Sequence, residues 1–89
     1  MTEAYTEQSE YEERAKIVIG NRIRELRREL PKPNGIEKFA NQIGMDRSYL
    51  SGVENGKRNI SFIRLLRILR GLGISPLDFF EGIDIETPL

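Results

Sequence analysis

The 89-residue chain has no cysteine and no histidine. The first absence excludes disulfides, thiolate metal sites and thiol nucleophiles. The second removes the usual general base near neutral pH and the commonest metal ligand. No apolar run approaches the roughly 20 residues of a membrane span. The N-terminus is acidic and has no apolar signal core, so it does not read as a secretion signal. Together these absences lead us to expect a soluble, cytoplasmic protein. It would have no catalytic residue, metal, cofactor or small-molecule ligand, and no membrane partner.

Net charge is also absent, because 14 basic and 14 acidic residues cancel. The distribution is far from even. Residues 1–13 carry Glu3, Glu7, Glu10, Glu12 and Glu13 and no base. Residues 71–89 carry Asp78, Glu81, Asp84 and Glu86 and no base. Every Lys and Arg falls between Arg14 and Arg70, where only five acids oppose them. A basic middle between acidic ends can present a phosphate-binding face despite a neutral sum.

Apolar spacing supplies the architecture. Ile19, Ile23, Leu26 and Leu30 fall at i, i+4, i+7 and i+11, one helical stripe. Pro31 and Pro33 end it, and Asn34-Gly35 reads as a turn. Residues 1–12 are polar and acidic, so fraying is expected there, with the helix starting near Glu10. A second short stripe, Ile36, Phe39, Ala40 and Ile43, closes at Gly44 as a C-cap. Asp46 can cap a third helix, with Leu50 and Val53 on its apolar side and Gly56 as its stop. Ser61 caps a fourth, with Phe62, Leu65, Leu66 and Leu69 as the expected buried side and Gly71 and Gly73 as breakers. Ser75-Pro76 opens a fifth, running through Leu77, Phe79 and Phe80 to Gly82. No alternating strand pattern occurs. The expected fold is all-α, with five helices. It divides into an acidic extension over residues 1–13, a helical domain over 14–82 and a tail over 83–89.

The third helix raises a question, because Gly52 in its interior costs roughly 1 kcal/mol relative to alanine. Its leading turn is also polar. Helices two and three are short and joined by Gly44-Met45, the layout of a helix-turn-helix. A helix that enters the DNA major groove presents its N-terminal residues to base edges, and those must be polar. Here they are Asp46, Arg47, Ser48 and Tyr49. Arg47 can donate two bonds to guanine O6 and N7. Ser48 and Ser51 can bond bases or phosphates. Gly52 would let the backbone approach DNA closely. Asn55, Lys57 and Arg58 follow the helix end, where amides and cations grip phosphates. Each also has a plainer reading: Asp46 as a cap, Tyr49 packed on the domain, Gly52 packed against the first helix, Ser51 bonded back to its own helix.

The stretch Gly20–Phe80 resembles the Cro/C1-type, or XRE family, helix-turn-helix domain. The resemblance is carried by IRELR (Ile23–Arg27), Phe39-Ala40, IGMDRSYLSGVENGKRNIS (Ile43–Ser61) and LGISPLDFF (Leu72–Phe80). DRSYLSGVENGKRN is similar to the controller proteins of restriction–modification systems, and many solitary regulators share such a stretch. The resemblance implies a five-helix, lambda-repressor-like fold and a dimeric transcription regulator acting on double-stranded DNA. It also implies a partly buried ion pair between Arg27 and Glu54 that serves the fold. The chain departs from the family in its longer, proline-rich PKPNG connection and in its acidic extension. It also has Ile36 where a phosphate-touching glutamine is common, and Lys38 or Asn41 are the substitutes at hand.

Ile63, Ile68, Leu72, Leu77 and Phe79 lie off the expected core stripe. A domain this small has little interior to hide them. A two-fold interface through the fourth and fifth helices would cover them and make the operator near-palindromic. The leading reading is a homodimeric, sequence-specific regulator. A restriction–modification controller, a phage-type repressor and an antitoxin all fit it. The alternative from another class is a protein-interaction module that kept the fold without independent DNA specificity.

Overall fold

The computed structural model describes residues 2–87. Its described residues form five helices and no strand: α1 (Thr2–Arg28), α2 (Ile36–Ile43), α3 (Arg47–Glu54), α4 (Phe62–Leu72) and α5 (Pro76–Glu81). Met1 of the expected extension and Pro88 and Leu89 of the expected tail lie outside the described residues.

The helix ends follow local chemistry. Asp46, Ser61 and Ser75 each sit in extended backbone and accept from the amide three residues on, at Tyr49, Arg64 and Asp78. Each satisfies one of the amides that a helix start leaves without a partner. Gly44 and Gly73 close α2 and α4 with φ of 67° and 74°, the left-handed backbone that glycine adopts without a Cβ penalty. The amide of Gly44 donates to the Ala40 and Asn41 carbonyls.

The first helix differs from expectation. It begins at Thr2 and runs through Glu10 without a break. At 1.5 Å per residue it is about 40 Å long, close to the 47 Å longest dimension of the molecule. Its N-terminal half is held from outside. The Arg14 Nε donates to the Ile85 carbonyl at 2.8 Å, and the Tyr11 hydroxyl donates to Glu86. Ile83 packs onto the core. The chain after α5 has no helix, and Asp84 organises it by accepting from the Thr87 hydroxyl and from the Glu86 and Thr87 amides. The hydrogen bonds from Thr87 hold the Asp84 carboxyl below the usual carboxylate range. The PKPNG segment is not a turn at Asn34-Gly35. The Asn34 amide group instead donates to the Arg28 and Leu30 carbonyls and closes the end of α1.

The core joins Ile23 of α1, Phe39 and Ala40 of α2, Met45 of the α2–α3 turn, Leu50 and Val53 of α3, Leu65, Ile68 and Leu69 of α4, and Phe79 of α5. Two expectations need correction here. Ile68 and Phe79 are fully buried, so they belong to the protomer's own core and offer nothing to a second subunit. Phe62, expected inside, is 65% exposed. The pattern 62-65-66-69 and the pattern 65-68-69-72 have identical helical spacing, and packing selected the second. Gly71 does not break α4 either. It lies within the helix, where a Cβ would stand 2.4 Å from Ile43 and 3.3 Å from the Phe39 ring.

Gly20 governs how α1 crosses α3. It is buried, and a Cβ there would lie 2.2 Å from the Val53 carbonyl oxygen and 2.8 Å from that of Glu54. Only a residue without a side chain allows the two backbones to approach this closely. The crossing fixes the orientation of α3 against α1.

Candidate nucleic-acid interface

One face of α3 is committed to the fold. Leu50 and Val53 enter the core, and Glu54, 2% exposed, meets α1. Arg27 Nε donates to Glu54 Oε2 at 2.7 Å, and Arg27 Nη2 donates to Oε1 at 2.9 Å. The third nitrogen of Arg27, Nη1, donates to the Asn34 carbonyl at 2.8 Å. This bidentate, charge-assisted pair raises the Arg27 pKa, chiefly through the hydrogen bonds that Arg27 donates to the Glu54 carboxylate. Arg24 joins from one turn earlier. Its Nη2 donates to the Glu54 carbonyl at 3.1 Å and to the Asn55 side chain, and its Nε lies 3.6 Å from Glu54 Oε1. Glu54 therefore answers two arginines, and the sequence reading named only one.

The other face of α3 points outward. Arg47 and Ser48 are exposed in its first turn, and Asn55, Lys57 and Arg58 are exposed at and beyond its end. Ser51 and Gly52 are half-buried between them. The Ser51 hydroxyl accepts from the Asn55 side chain at 3.4 Å. Asp46 is spent on its cap, bonded to the Tyr49 amide at 3.0 Å.

Tyr49 is half-buried, and two guanidiniums lie over its ring. Arg64 of α4 sits 4.7 Å from the ring centroid and Arg58 sits 5.8 Å from it, both within cation–π range. The Tyr49 hydroxyl donates to the Asn59 carbonyl at 3.4 Å. Gly52 has a neighbour that neither sequence reading supplied. A Cβ there would lie 2.5 Å from the Cγ of Arg58. The space that glycine leaves is occupied by the stem of a loop arginine, not by α1.

Among the described residues, no carboxylate lies within 4.0 Å of the cationic groups of Arg47, Lys57, Arg58, Arg64 or Arg67. Arg67 donates to the Gly44 carbonyl at 3.3 Å, across the turn between α2 and α3. Arg64 and Arg67 were missed in the sequence because they stand on α4, beyond the end of α3 and of the loop that follows it. Their three-residue spacing on one helix face was the available signal. Lys38 and Asn41 are both exposed on α2.

A helix-turn-helix family model matches residues 23–79, spanning all of α2, α3 and α4. The chain belongs to the XRE-type helix-turn-helix family. Among the relatives of this helix-turn-helix protein is the control protein C.MunI of a Mycoplasma species, 45% identical over 71 residues. That match covers 80% of this chain and 95% of the relative. A solved structure of the restriction–modification controller protein C.AhdI from Aeromonas hydrophila superposes with a TM-score of 0.67 at 39% identity. It covers 74% of this chain and 97% of that one. A second controller, C.Esp1396I, was solved as a tetramer in complex with its natural 35 base-pair operator. It gives a TM-score of 0.66 at 33% identity, over 74% of this chain and 84% of that one. Among the described residues, no helix is long and apolar enough to cross a membrane.

Proposed function

We propose that this protein is a sequence-specific, DNA-binding transcription regulator of the cytoplasm, acting as a homodimer on a near-palindromic operator. The observation that carries the reading is the outward face of α3. Arg47 and Ser48 stand exposed in its first turn, and Arg47, Lys57, Arg58, Arg64 and Arg67 have no carboxylate partner among the described residues. Such a helix can lay its N-terminal turn in the major groove. Arg47 then reads guanine with a bidentate donor pair, and Ser48 and Ser51 bond base edges or phosphate oxygens. Asn55, Lys57 and Arg58 hold the backbone, and Tyr49 lines the same surface. The controller that was solved on its operator supports this assignment by likeness of fold.

The homodimer rests on exposed apolar surface. Ile63 and Leu77 are 68% and 71% exposed, and Phe62 and Phe80 add to the apolar area, whereas Leu72, expected at this interface, is half-buried and packs against the protomer's own core. A second copy covering Ile63 and Leu77 through α4 and α5 sets two α3 helices about 34 Å apart, one DNA turn.

Selection of bound duplexes from a random DNA library tests the proposal. An enriched near-palindrome with half-sites one turn apart is the expected result. A pool without enrichment at moderate salt would overturn sequence-specific binding and favour an interaction module. Sedimentation of the free protein tests the dimer separately.

A further inference from the structure

Gly52 sits inside α3, where it weakens the helix, and the expectation from sequence was that it brings DNA close to the backbone. The geometry points to a different cause. We propose that Gly52 is a positioning residue for Arg58. Its missing side chain seats the arginine stem, so that Arg58, the Tyr49 ring and Arg64 form one preassembled cationic unit for the DNA backbone. This rests on the regulator reading above and names how one part of that surface is built.

Three observations carry it. A Cβ at Gly52 would come within 2.5 Å of Arg58 Cγ and 3.3 Å of its Nε, with no other residue among its nearest contacts. The stem that occupies this space delivers its guanidinium 5.8 Å from the Tyr49 ring centroid. Arg64 arrives from α4 at 4.7 Å, so one ring orders two cations from different elements. Neither has a carboxylate within 4.0 Å among the described residues. An unpaired arginine on the surface ordinarily samples many rotamers, and ordering it at the moment of binding costs affinity. A ring that holds two of them beforehand reduces that cost. The unit links α3 to α4, and Arg64 becomes a backbone contact although it lies outside the recognition helix.

The test is a double-mutant cycle on DNA binding, read across several salt concentrations. Gly52→Ala removes a helix-interior glycine, so α3 should gain helical stability, and the obstructing atom belongs to a flexible side chain that can move. Circular dichroism and denaturation confirm the fold. Gly52→Ala should weaken binding roughly tenfold and lower the salt slope by about one unit, as should Arg58→Ala. Gly52→Ala added to Arg58→Ala should cost nothing more. A second readout needs no DNA. In the free protein, the Nε protons of Arg58 and Arg64 should show aromatic ring-current shifts by NMR. Gly52→Ala should abolish the shift at Arg58 and keep it at Arg64.

Additive penalties from Gly52→Ala and Arg58→Ala would overturn the proposal and return Gly52 to a role in backbone approach. An Arg58 shift that survives Gly52→Ala would overturn it as well. Arg64→Ala binding with an unchanged salt slope would remove Arg64 from the unit. A wild-type chain that binds no duplex would instead strike the regulator reading itself, and the free-protein spectra would still judge the seating of Arg58.

Discussion

Arg27 and Arg64 are the same residue type on two other helices, α1 and α4, and they reach α3 for opposite ends. Arg27 of α1 is buried and bonded through all of its nitrogens, to Glu54 and to the Asn34 carbonyl. Arg64 of α4 is exposed, lies over the ring of Tyr49 and has no carboxylate partner among the described residues. A buried guanidinium must have its charge and donors answered inside the protein, because water cannot answer them. An exposed one resting on a ring keeps its donors for something outside. The contrast between paired and unpaired arginines separates the part of α3 that holds the fold from the part we propose for DNA contact. It does so without reference to which residues are near which helix end.

The comparison breaks most sharply at Glu54. Glu54→Ala leaves Arg27 buried without its counter-charge, and we expect a loss of roughly 3–5 kcal/mol in chemical denaturation. A loss under about 1 kcal/mol would mean that the pair is exchangeable for water and that the two arginine classes are not distinct. Arg47→Ala lies on the other side of the contrast. It should leave denaturation unchanged and cost roughly 1–3 kcal/mol of discrimination at a single base pair. If all duplexes weaken alike, Arg47 is a phosphate ligand. Asp46→Ala tests the boundary between the two classes, since a cap supports the helix that presents Arg47. A stability loss of about 1 kcal/mol with unchanged base preference is the expected outcome. Altered preference would make Asp46 a reader as well as a cap. Lys57→Ala should have the smallest effect, a uniform weakening with the salt slope flatter by about one unit. No change in slope removes Lys57 from the interface.

Most helix ends were legible because their causes are local. Asp46, Ser61 and Ser75 cap through their own side chains, and Gly44 and Gly73 stop helices through their own backbone conformation. A reader of sequence sees those residues and their neighbours, and nothing more is needed. The start of α1 was not legible. Its acidic first turns read as frayed, whereas α1 is continuous and its partners, Ile85 and Glu86, lie more than 70 residues away. The buried face of α4 was ambiguous for another reason. FIRLLRILRGL contains two equivalent stripes, and only the packing of the other helices distinguishes them. Arg58 was named as a phosphate contact, but its dependence on Gly52 and Tyr49 belongs to three-dimensional packing and has no one-dimensional signature. Gly20 escaped notice for the same reason.

Gly20 also bears on how this chain can vary. The space a side chain would need there is taken by the backbone carbonyls of Val53 and Glu54, and a backbone atom, unlike a side chain, cannot be exchanged by mutation elsewhere. No compensating partner substitution exists for position 20. In a library randomised at every position and selected for operator binding, the recognition turn should diversify with each new target sequence. Position 20 should return glycine whatever the target, as a marker of the fold's ancestry that carries no trace of which genes are controlled.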